Sequence, residues 1–250
     1  MISIKTPEEI AIMREGGQIL AQIMHELILQ VKPGVSTGQL DKIAERKIRE
    51  AGAKPAFLNY QGFPRVMCTS VNEEVVHAIP SEEKILKAGD IVTLDLGLIH
   101  RGYYSDMART IPVGQVAPEA GRLVQVCREA LRLGTAKAQP GATCGDIGNA
   151  IQRLVESQGY GVVRELCGHG IGKELHEEPQ VLNYGNRKAG VKLEAGMVMC
   201  IEPMITMGDW NITRAKDGQT FVTRDRSLSA HFEDTVAITP DGHEVLTNLK

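Results

Sequence analysis

The sequence predicts an α+β protein built from two related halves that pack about a pseudo-twofold axis. Residues 33–38, PGVSTG, match residues 140–145, PGATCG, and residues 86–89, LKAG, match residues 193–196, LEAG. Both matches have an offset of 107 residues, and the order of helices and strands around them repeats as well. Because the copies are too few and the period too long for a solenoid, a duplicated fold is the better explanation.

Each half is predicted to begin with two helices. The first starts with a capping hydroxyl at Thr6 and with Pro7 at the first helical position, and two acids follow in the first turn. We expect this helix to continue to about Val31, where Lys-Pro-Gly interrupts the pattern. The other helices are expected over residues 36–50, 118–138 and 143–158, each followed by glycine or Pro-Gly.

Strands are predicted for much of the remaining chain. Residues 91–96 alternate apolar and polar side chains with a period of two, which favours a strand over a helix. Residues 54–65, with two prolines and a glycine, are expected to form a loop. The other predicted strands are residues 68–72, 75–80, 103–110, 197–205, 221–223 and 232–238.

Residues 91–110 are predicted to form a β-hairpin with one aspartate in each strand, Asp95 and Asp106. If the turn is centred on His100 and Arg101, the two aspartates are directly opposed. Side chains at such positions have Cβ atoms roughly 4.5–5.5 Å apart, and like charges there are destabilising. We therefore expect a positive group between them, and a metal ion is the first candidate. Two edge carboxylates in contact with solvent are the alternative.

The composition is that of an ordinary globular protein, with 42% hydrophobic and 24% charged residues among 250. A net charge of −3 gives no general reason to expect nucleic-acid binding. No signal-peptide pattern is present at the start, and no apolar segment approaches the ~20 residues of a membrane span. Five cysteines without C-x-x-C spacing indicate neither a disulfide framework nor a zinc ribbon. We expect a cytoplasmic protein with a single domain over residues 1–250, whose halves are approximately 1–112 and 113–250.

Four acids lie in strand-like segments that are otherwise mostly apolar: Asp95, Asp106, Glu202 and Glu233. Acids are rarely fully buried unless they are paired, and Arg109 is the main basic candidate in those segments. Two divalent ions would balance four carboxylates, and a pair of ions ≈3.5–4 Å apart is a familiar hydrolytic device. The 107-residue offset aligns Asp95 with Glu202. Surface acids on half-exposed strands remain the alternative.

Three histidines add donors of a different kind. His169 lies between Gly168 and Gly170, which allows close approach of the backbone to a site. One histidine with four carboxylates suits an ion such as Mn, Fe, Co or Zn. His77 and His176 are candidates to donate hydrogen bonds to a substrate or an intermediate rather than to bind metal. A structural histidine is the alternative reading at position 169.

Two other patterns are better explained without catalysis. Residues 34–38 fit the G-x-S-x-G nucleophile elbow, which requires a strand before it and a helix after it. A helix precedes it here, and its copy has Thr143 in place of Ser36, so a helix cap explains both copies. Cys68 and Cys167 lie near histidines, but buried structural thiols are commoner than nucleophiles. A thiol hydrolase is a minor alternative.

The ordered acids and histidines, together with three short motifs and His176, resemble type I methionine aminopeptidase over nearly the whole chain. The motifs are CGHGIG at residues 167–172, IEP at 201–203 and DRSLSA at 225–230. The resemblance implies the pita-bread fold, two pseudo-symmetric halves with an antiparallel sheet and outer helices. The 107-residue offset indicates such a duplication independently. Residues 170–201 leave no room for the large insertion of type II enzymes.

The resemblance also implies a ligand role for each of five residues. Asp95 would bind one metal ion with both carboxylate oxygens. Asp106 and Glu233 would bridge two ions, and His169 and Glu202 would complete the second. The implied cofactors are therefore two divalent ions per chain, of Co, Mn, Fe or Zn.

Catalytic roles follow from the same resemblance. Glu202 would be the general base, His77 would contact the leaving side of the scissile bond, and His176 would polarise its carbonyl or stabilise the tetrahedral oxyanion. A monovalent cation, Na or K, would bind near Asn72 and Ser229.

The side-chain pocket departs from the commonest pattern of the family. Leu166 and Leu175 stand where aromatic residues are common, and Gln219 stands where a tryptophan is common. We expect the loss of these aromatic walls to weaken methionine selectivity or efficiency. The predicted substrate-binding residues are His77, His176, Tyr60, Phe63 and Cys68.

The resemblance implies a metallo-aminopeptidase, a hydrolase that removes initiator methionine from nascent proteins and peptides. We expect a cytoplasmic monomer that acts near the ribosome and binds neither membranes nor specific nucleic acid. A prolidase-like or Xaa-Pro aminopeptidase of the same fold is one alternative, although such enzymes usually carry an additional N-terminal domain. A catalytically silent pita-bread module that binds proteins or nucleic acid is the other. Such modules typically lose metal ligands, whereas all five residue types are present here.

Overall fold

The computed structural model of the chain describes residues 2–249, which form four α-helices and fifteen β-strands. The helices are α1 (Pro7–Ile28), α2 (Thr37–Glu50), α3 (Pro118–Thr135) and α4 (Cys144–Ser157). The first half contains strands β1 (Lys54–Pro55), β2 (Met67–Val71), β3 (Glu74–Val76), β4 (Ile91–His100) and β5 (Tyr103–Pro112). The second half contains β6 (Gly161–Val162), β7 (Gly168–Gly170), β8 (Glu177–Val181), β9 (Val198–Ile201), β10 (Met204–Thr206), β11 (Ile212–Arg214), β12 (Phe221–Thr223), β13 (Ser229–His231), β14 (Glu233–Thr239) and β15 (Gly242–Val245).

Nine of these strands form one antiparallel sheet in the order β1–β4–β5–β14–β9–β7–β8, with β2 paired to β4 and β15 paired to β14. Two small sheets accompany it, β13–β10–β6 and β11–β12–β3. Leu20 of α1 and Leu40 of α2 are fully buried in one apolar cluster with Leu94 of β4. The helices α3 and α4 supply a separate cluster with β9 and β10. Within residues 2–249, no helix has both the length and the apolar character to cross a membrane.

The 107-residue repeat is visible in equivalent hydrogen bonds. The N–H of Gly34 donates to the carbonyl of Leu86, and the N–H of Gly141 donates to the carbonyl of Leu193. Both α2 and α4 begin with a capping box, as expected for S/T followed three residues later by a polar acceptor. The strands β4 and β9 also start 107 residues apart. The prediction of a duplicated α+β fold is therefore confirmed.

The predicted ends of α1 and α3 are each three residues too late, for one shared reason. Gln30 and Val31 donate their N–H groups to carbonyls three residues earlier, and so do Lys137 and Ala138. Such i→i−3 bonds tighten the last turn and satisfy carbonyls at a helix end. Apolar periodicity continues through these turns, so the sequence alone does not separate them from the helix.

The predicted β4–β5 hairpin is confirmed, but its predicted turn is wrong. His100 pairs with Tyr103, which leaves Arg101 and Gly102 as a two-residue turn. Both turn residues have positive φ, 50° and 87° respectively. Turns with φ > 0 at both central positions match the right-handed twist of the flanking strands, which favours this register over a turn at His100 and Arg101.

The corrected register changes how the two aspartates meet. Asp95 faces Ala108, and Asp106 faces Gly97. The aspartates are therefore diagonal neighbours on one face of the sheet rather than directly opposed, a separation of roughly 7–8 Å. A Cβ at Gly97 would lie 2.8 Å from the ring of Phe57, so an aromatic ring fills the space across from Asp106.

The strand predicted over residues 197–205 is interrupted after Ile201. Pro203 has no N–H to donate to a ladder, and Asn183 donates its side-chain amide to the carbonyl of Glu202. The chain therefore leaves the large sheet where β9 ends, and it enters a small sheet as β10. This break places Glu202 at the end of a strand, where its side chain is free to enter a site.

Smaller differences concern shorter segments. The strand predicted over residues 75–80 ends at Val76, because His77 adopts a positive φ of 58°. Residues 54–65, predicted to be a loop, also contain β1 and a 3₁₀ turn over Tyr60–Gly62. The strand β15 was not predicted from the sequence and pairs with β14 at the end of the described chain.

Candidate metal centre

A cavity of about 540 Å³ lies against the central strands of the nine-stranded sheet. It brings together all the residues predicted to bind divalent metal and all those predicted to bind substrate. These are Asp95, Asp106, His169, Glu202, Glu233, His77, His176, Tyr60, Phe63 and Cys68. Leu166, Leu175 and Gln219 line the same cavity.

The five predicted metal ligands come from five strands that are successive neighbours in the sheet. Asp95 is in β4, Asp106 in β5 and Glu233 at the start of β14, while Glu202 directly follows β9 and His169 is the central residue of β7. Their sheet order is β4–β5–β14–β9–β7. Because neighbouring strands lie about 4.8 Å apart, one polar side chain from each strand gives a row of donors across the sheet.

The backbone of the sheet also fixes the tautomer of His169 that can bind a metal ion. Its Nδ1 lies 2.9 Å from the carbonyl oxygen of Gly170 and donates to it, which leaves the lone pair on Nε2. That Nε2 atom lies 3.6 Å from Oε1 of Glu202. A backbone carbonyl that fixes the tautomer in this way is the usual companion of a metal-ligating imidazole.

The four carboxylates are buried, and the groups within ion-pair distance of them in the described residues include imidazoles but no lysine or arginine. Their exposed fractions are 7% for Asp95, 4% for Asp106, 9% for Glu202 and 3% for Glu233, which argues against surface acids on half-exposed strands. No lysine or arginine within residues 2–249 forms an ion pair with any of them. Arg109, the expected basic candidate, instead binds Asp234 at 2.6 Å.

Burial and mutual repulsion raise the pKa values of these acids. The pKa of Asp106 is raised to about 7 by burial. The pKa values of Asp95, Glu202 and Glu233 are raised well above the usual range, first by burial and then by the neighbouring carboxylates. Without cations the four groups resist ionisation together, so the cavity is electrostatically suited to positive ions.

Orphaned buried oxygens indicate where such ions would bind. Asp95 Oδ1, Asp106 Oδ1 and Glu233 Oε1 are buried and have no hydrogen-bond partner. These three residues each place a carboxylate oxygen within 4.8 Å of the others. Unpaired buried acceptors are costly, and carboxylate oxygens suit divalent cations. The residues present therefore fit a divalent metal.

His231 belongs to the same site, although the sequence analysis did not select it. It is 2% exposed, and it forms a potential metal-binding group with Glu202 and Glu233. The signal that could have identified it is its spacing of two residues from Glu233, because alternate residues of an extended chain point to the same side.

The predicted substrate-contacting histidines flank this centre at the cavity mouth. The hydroxyl of Tyr60 lies 2.7 Å from Nδ1 of His176, and the rings of His176 and His169 lie 4.4 Å apart. His77 packs edge-on against Phe221 with ring centres 5.8 Å apart. Desolvation by the surrounding cavity lowers the pKa values of His77 and His176, so both imidazoles are neutral at pH 7.

The side-chain pocket is an apolar cluster beside the carboxylates. Leu175, 2% exposed, packs in one cluster with Phe63, Cys68 and the partly buried Tyr60. Burial raises the pKa of Cys68 well above its usual value and that of Cys167 to about 11. Both thiols are therefore protonated at neutral pH, which gives no support to a thiol hydrolase.

Asn72 and Ser229, predicted to lie near a monovalent cation, adjoin each other but do not line the cavity. The N–H of Ser229 donates to the carbonyl of Asn72 at 2.8 Å. The side chain of Asn72 binds Asp90 and the N–H of Ile91. The cation at this position stays a prediction.

Comparison with known proteins defines the class to which this fold and cavity belong. Residues 11–240 match the model of metallopeptidase family M24, and the chain belongs to this family. It is 47% identical over 247 residues to a methionine aminopeptidase of Clostridium acetobutylicum, covering 99% of both chains. It is 46% identical to methionine aminopeptidase 1 of Bacillus subtilis, covering 100% of both.

Solved structures agree with this assignment. The methionine aminopeptidase of Rickettsia prowazekii superposes with a TM-score of 0.97 at 44% identity, covering 99% of this chain and 100% of that one. The prolidase of Pyrococcus furiosus superposes with a TM-score of 0.80 at 27% identity, and covers 99% of this chain but only 66% of that one. The chain has the pita-bread fold that the resemblance implied.

Proposed function

We propose that this protein removes N-terminal methionine from nascent proteins and peptides by metal-assisted hydrolysis of the first peptide bond. The observation that carries the proposal is the row of one carboxylate or imidazole from each of five neighbouring strands, facing an apolar pocket. Full-length similarity to methionine aminopeptidases supports the choice of substrate. The prolidase shares the fold but extends well beyond the matched region.

The proposed cofactor is a pair of divalent ions, of Co, Mn, Fe or Zn. Asp95 would hold one ion, His169 and Glu202 would hold the other, and Asp106 and Glu233 would contribute to both. Two divalent charges would offset four carboxylates that form no ion pair with lysine or arginine in the described part of the chain. Bound ions would lower the pKa of water and polarise the scissile carbonyl.

The residues around the ions would move and hold protons. Glu202 is the proposed general base, because its carboxylate is buried, lines the cavity and forms no ion pair with a lysine or arginine within residues 2–249. His176 would donate from Nε2 to the developing oxyanion, since the hydroxyl of Tyr60 occupies its Nδ1. His77 would contact the leaving side of the scissile bond from the cavity mouth.

The pocket formed by Tyr60, Phe63, Cys68 and Leu175 would receive the methionine side chain. A flexible thioether suits an apolar pocket of irregular shape. Leu166 and Gln219 also line the cavity, and these two non-aromatic residues, at positions where aromatic residues are common in the family, support a lower selectivity than is common there.

The location, the oligomeric state, a monovalent-cation site and the domain organisation are proposed from the same resemblance. We place the protein in the cytoplasm as a monomer that meets nascent chains near the ribosome, with a Na or K ion near Asn72 and Ser229. Residues 1–250 would act as a single catalytic domain with halves of approximately 1–112 and 113–250. Ligands drawn from both halves support this view, because neither half holds the complete set.

The test is a peptide assay on protein reconstituted separately with Co, Mn, Fe or Zn. Met-Ala-Ser, Leu-Ala-Ser and an Xaa-Pro peptide are compared, with metal-free protein as the control. We expect cleavage of Met-Ala-Ser above Leu-Ala-Ser and no cleavage of Xaa-Pro. Cleavage of Xaa-Pro alone would replace the proposal with a prolidase-like activity. Bound metal without turnover of any peptide would favour a silent module.

A further inference from the structure

The carboxylate of Glu202 lies between two imidazoles rather than beside one. Nε2 of His169 is 3.6 Å from Oε1, and Nε2 of His231 is 3.6 Å from Oε2. Nε2 of His231 is also 3.9 Å from Oε2 of Glu233. His231 thus faces two carboxylates of the proposed centre, Glu202 and Glu233.

These separations fit ligands on one ion. Metal–nitrogen and metal–oxygen bonds are about 2.0–2.2 Å long for zinc, so two atoms on one ion lie at most about 4.2 Å apart. Both distances from His231 Nε2 fall below that limit. They exceed the 2.7–3.2 Å of an N–H···O hydrogen bond, so the ring does not hydrogen-bond to either carboxylate.

The ring of His231 also lacks any other polar partner. Both nitrogens are buried, and neither has a hydrogen-bond partner among the residues of the structure. The backbone, by contrast, is firmly held, because Thr110 Oγ1 accepts from the His231 N–H at 2.8 Å and donates to its carbonyl at 2.8 Å. A buried imidazole without partners is costly, and a cation beside it would relieve that cost.

We propose that His231 is a sixth ligand of the metal centre and the second nitrogen donor of one of its two ions. The inference rests on the proposed divalent centre and deepens it. One ion would then have His169, Glu202 and His231 with the shared carboxylates of Asp106 and Glu233, while the other would have only Asp95 with the same shared carboxylates.

Unequal donor sets give the two positions different metal preferences. Imidazole suits Zn, Co and Fe, whereas an all-carboxylate set suits harder ions such as Mn. The first equivalent of zinc should therefore bind at the position with two histidines. Manganese should discriminate much less between the positions.

X-ray absorption at the zinc edge tests the assignment directly. The full-length protein is stripped of metal and given one equivalent of zinc, and the bound imidazoles are counted from their multiple scattering. Two imidazoles per zinc are expected, whereas a single imidazole would overturn the inference. This measurement needs no variant, so it does not depend on the folding of one.

Titration of three proteins with zinc and with manganese supplies the second test. His231→Gln should weaken the first zinc-binding step by about 10–100-fold, the range seen when groups that support a ligand are removed, and should change manganese binding far less. His243→Gln, in β15 and outside the cavity, is the matched control and should bind both ions like wild type. Equal zinc affinity in wild type and His231→Gln would overturn the inference while the proposed centre stands. Wild-type protein that binds no divalent ion would remove the centre itself.

Discussion

Asp95 and Glu233 lie on opposite sides of Ala108, each in register with it across a strand boundary. Ala108 pairs with Asp95 of β4 on one side and with Glu233 of β14 on the other. Directly paired residues project from the same face of a sheet with Cβ atoms roughly 4.5–5.5 Å apart. A methyl group is therefore all that separates the two carboxylates, and the space above it is left for ions.

This relationship predicts that a larger side chain at position 108 excludes the metal. Ala108→Val would add two methyl groups between the carboxylates, and we expect loss of divalent binding and of peptide cleavage. Ala237→Val is the matched control, since Ala237 is equally buried in the same sheet but pairs with Val198 and Glu244 rather than with two predicted ligands. Both changes should cost about 1–3 kcal/mol of stability through overpacking. Calorimetric titration with Co or Mn distinguishes them, and undiminished binding by Ala108→Val would contradict the prediction.

The sequence predicts the fold well because its strongest signals are local. Capping residues at Thr6, Ser36 and Thr143 locate helix starts to within one residue. The repeated segments reveal the duplication without any structural information. What the sequence does not predict is register, since the turn at Arg101 and Gly102 depends on backbone twist rather than on hydrophobic alternation.

In the site, too, residues with a local sequence signal are predicted and residues whose role depends on the folded sheet are not. The acids stand out because carboxylates are unusual in apolar strands, and the structure brings them together. His231 does not stand out, because one histidine next to a predicted strand has no distinguishing pattern. The sequence likewise does not identify Thr235 as a residue that positions a ligand, because that role depends on which backbone groups the sheet leaves unpaired.

Thr235 is predicted to hold Asp106 in position. Its hydroxyl accepts from the N–H of Asp106 at 3.0 Å and donates to the Asp106 carbonyl at 2.8 Å, in a fully buried environment. Thr235→Val should leave both backbone groups unpaired and lower the free energy of unfolding by about 1–3 kcal/mol. Metal affinity should fall by about 10–100-fold, as for other groups that orient ligands. Thr235→Ser keeps the hydroxyl and should retain most of the stability and most of the metal affinity. Denaturant unfolding measures the stability, and titration with cobalt measures the affinity. Equal losses in Thr235→Val and Thr235→Ser would contradict this role.

His169→Ala is predicted to abolish turnover and weaken metal binding. The backbone carbonyl of Gly170 fixes the tautomer of this imidazole, which leaves its Nε2 atom to bind metal, and alanine supplies no donor in its place. His25→Ala, on the exposed surface of α1, is the control. Turnover of Met-Ala-Ser and bound metal per chain are measured together. Unchanged activity in His169→Ala would remove this residue from the ligand set.

Leu175→Phe is predicted to sharpen selectivity for methionine. Leu175 is buried beside Phe63 and Cys68, so an aromatic ring at this position would narrow the pocket and disfavour branched side chains. The ratio of kcat/KM for Met-Ala-Ser over Leu-Ala-Ser should rise by about 10-fold, equivalent to ~1.4 kcal/mol. Leu182→Phe, partly exposed and outside the cavity, should leave the ratio unchanged. An unaltered ratio in Leu175→Phe would place the methionine pocket elsewhere.

In the metal-free protein, Asp106 is predicted to contribute stability that is lost as the pH rises. Burial raises the pKa of Asp106 to about 7, whereas an unfolded aspartate has a pKa of about 3.9. Between these values the Asp106 carboxyl holds more protons in the folded state than in the unfolded state, so its contribution to the free energy of unfolding falls as pH increases from about 4 to about 7. The raised pKa values of Asp95, Glu202 and Glu233 act in the same direction. Bound divalent ions stabilise the ionised carboxylates, so the rise in Tm on adding Mn should grow with pH.

Asp106→Asn provides the comparison for this pH dependence, because it removes one of the titrating groups at nearly constant volume. The slope of Tm against pH between about pH 4 and about pH 7, measured by calorimetry in the presence of a chelator, should be more positive in this variant than in wild type. The two proteins share every surface carboxylate. The difference between their slopes of Tm against pH therefore reports the titration of the buried site. Identical slopes would mean that the Asp106 carboxyl titrates alike in the folded and unfolded states, and the electrostatic argument for a cation at this position would lose its basis.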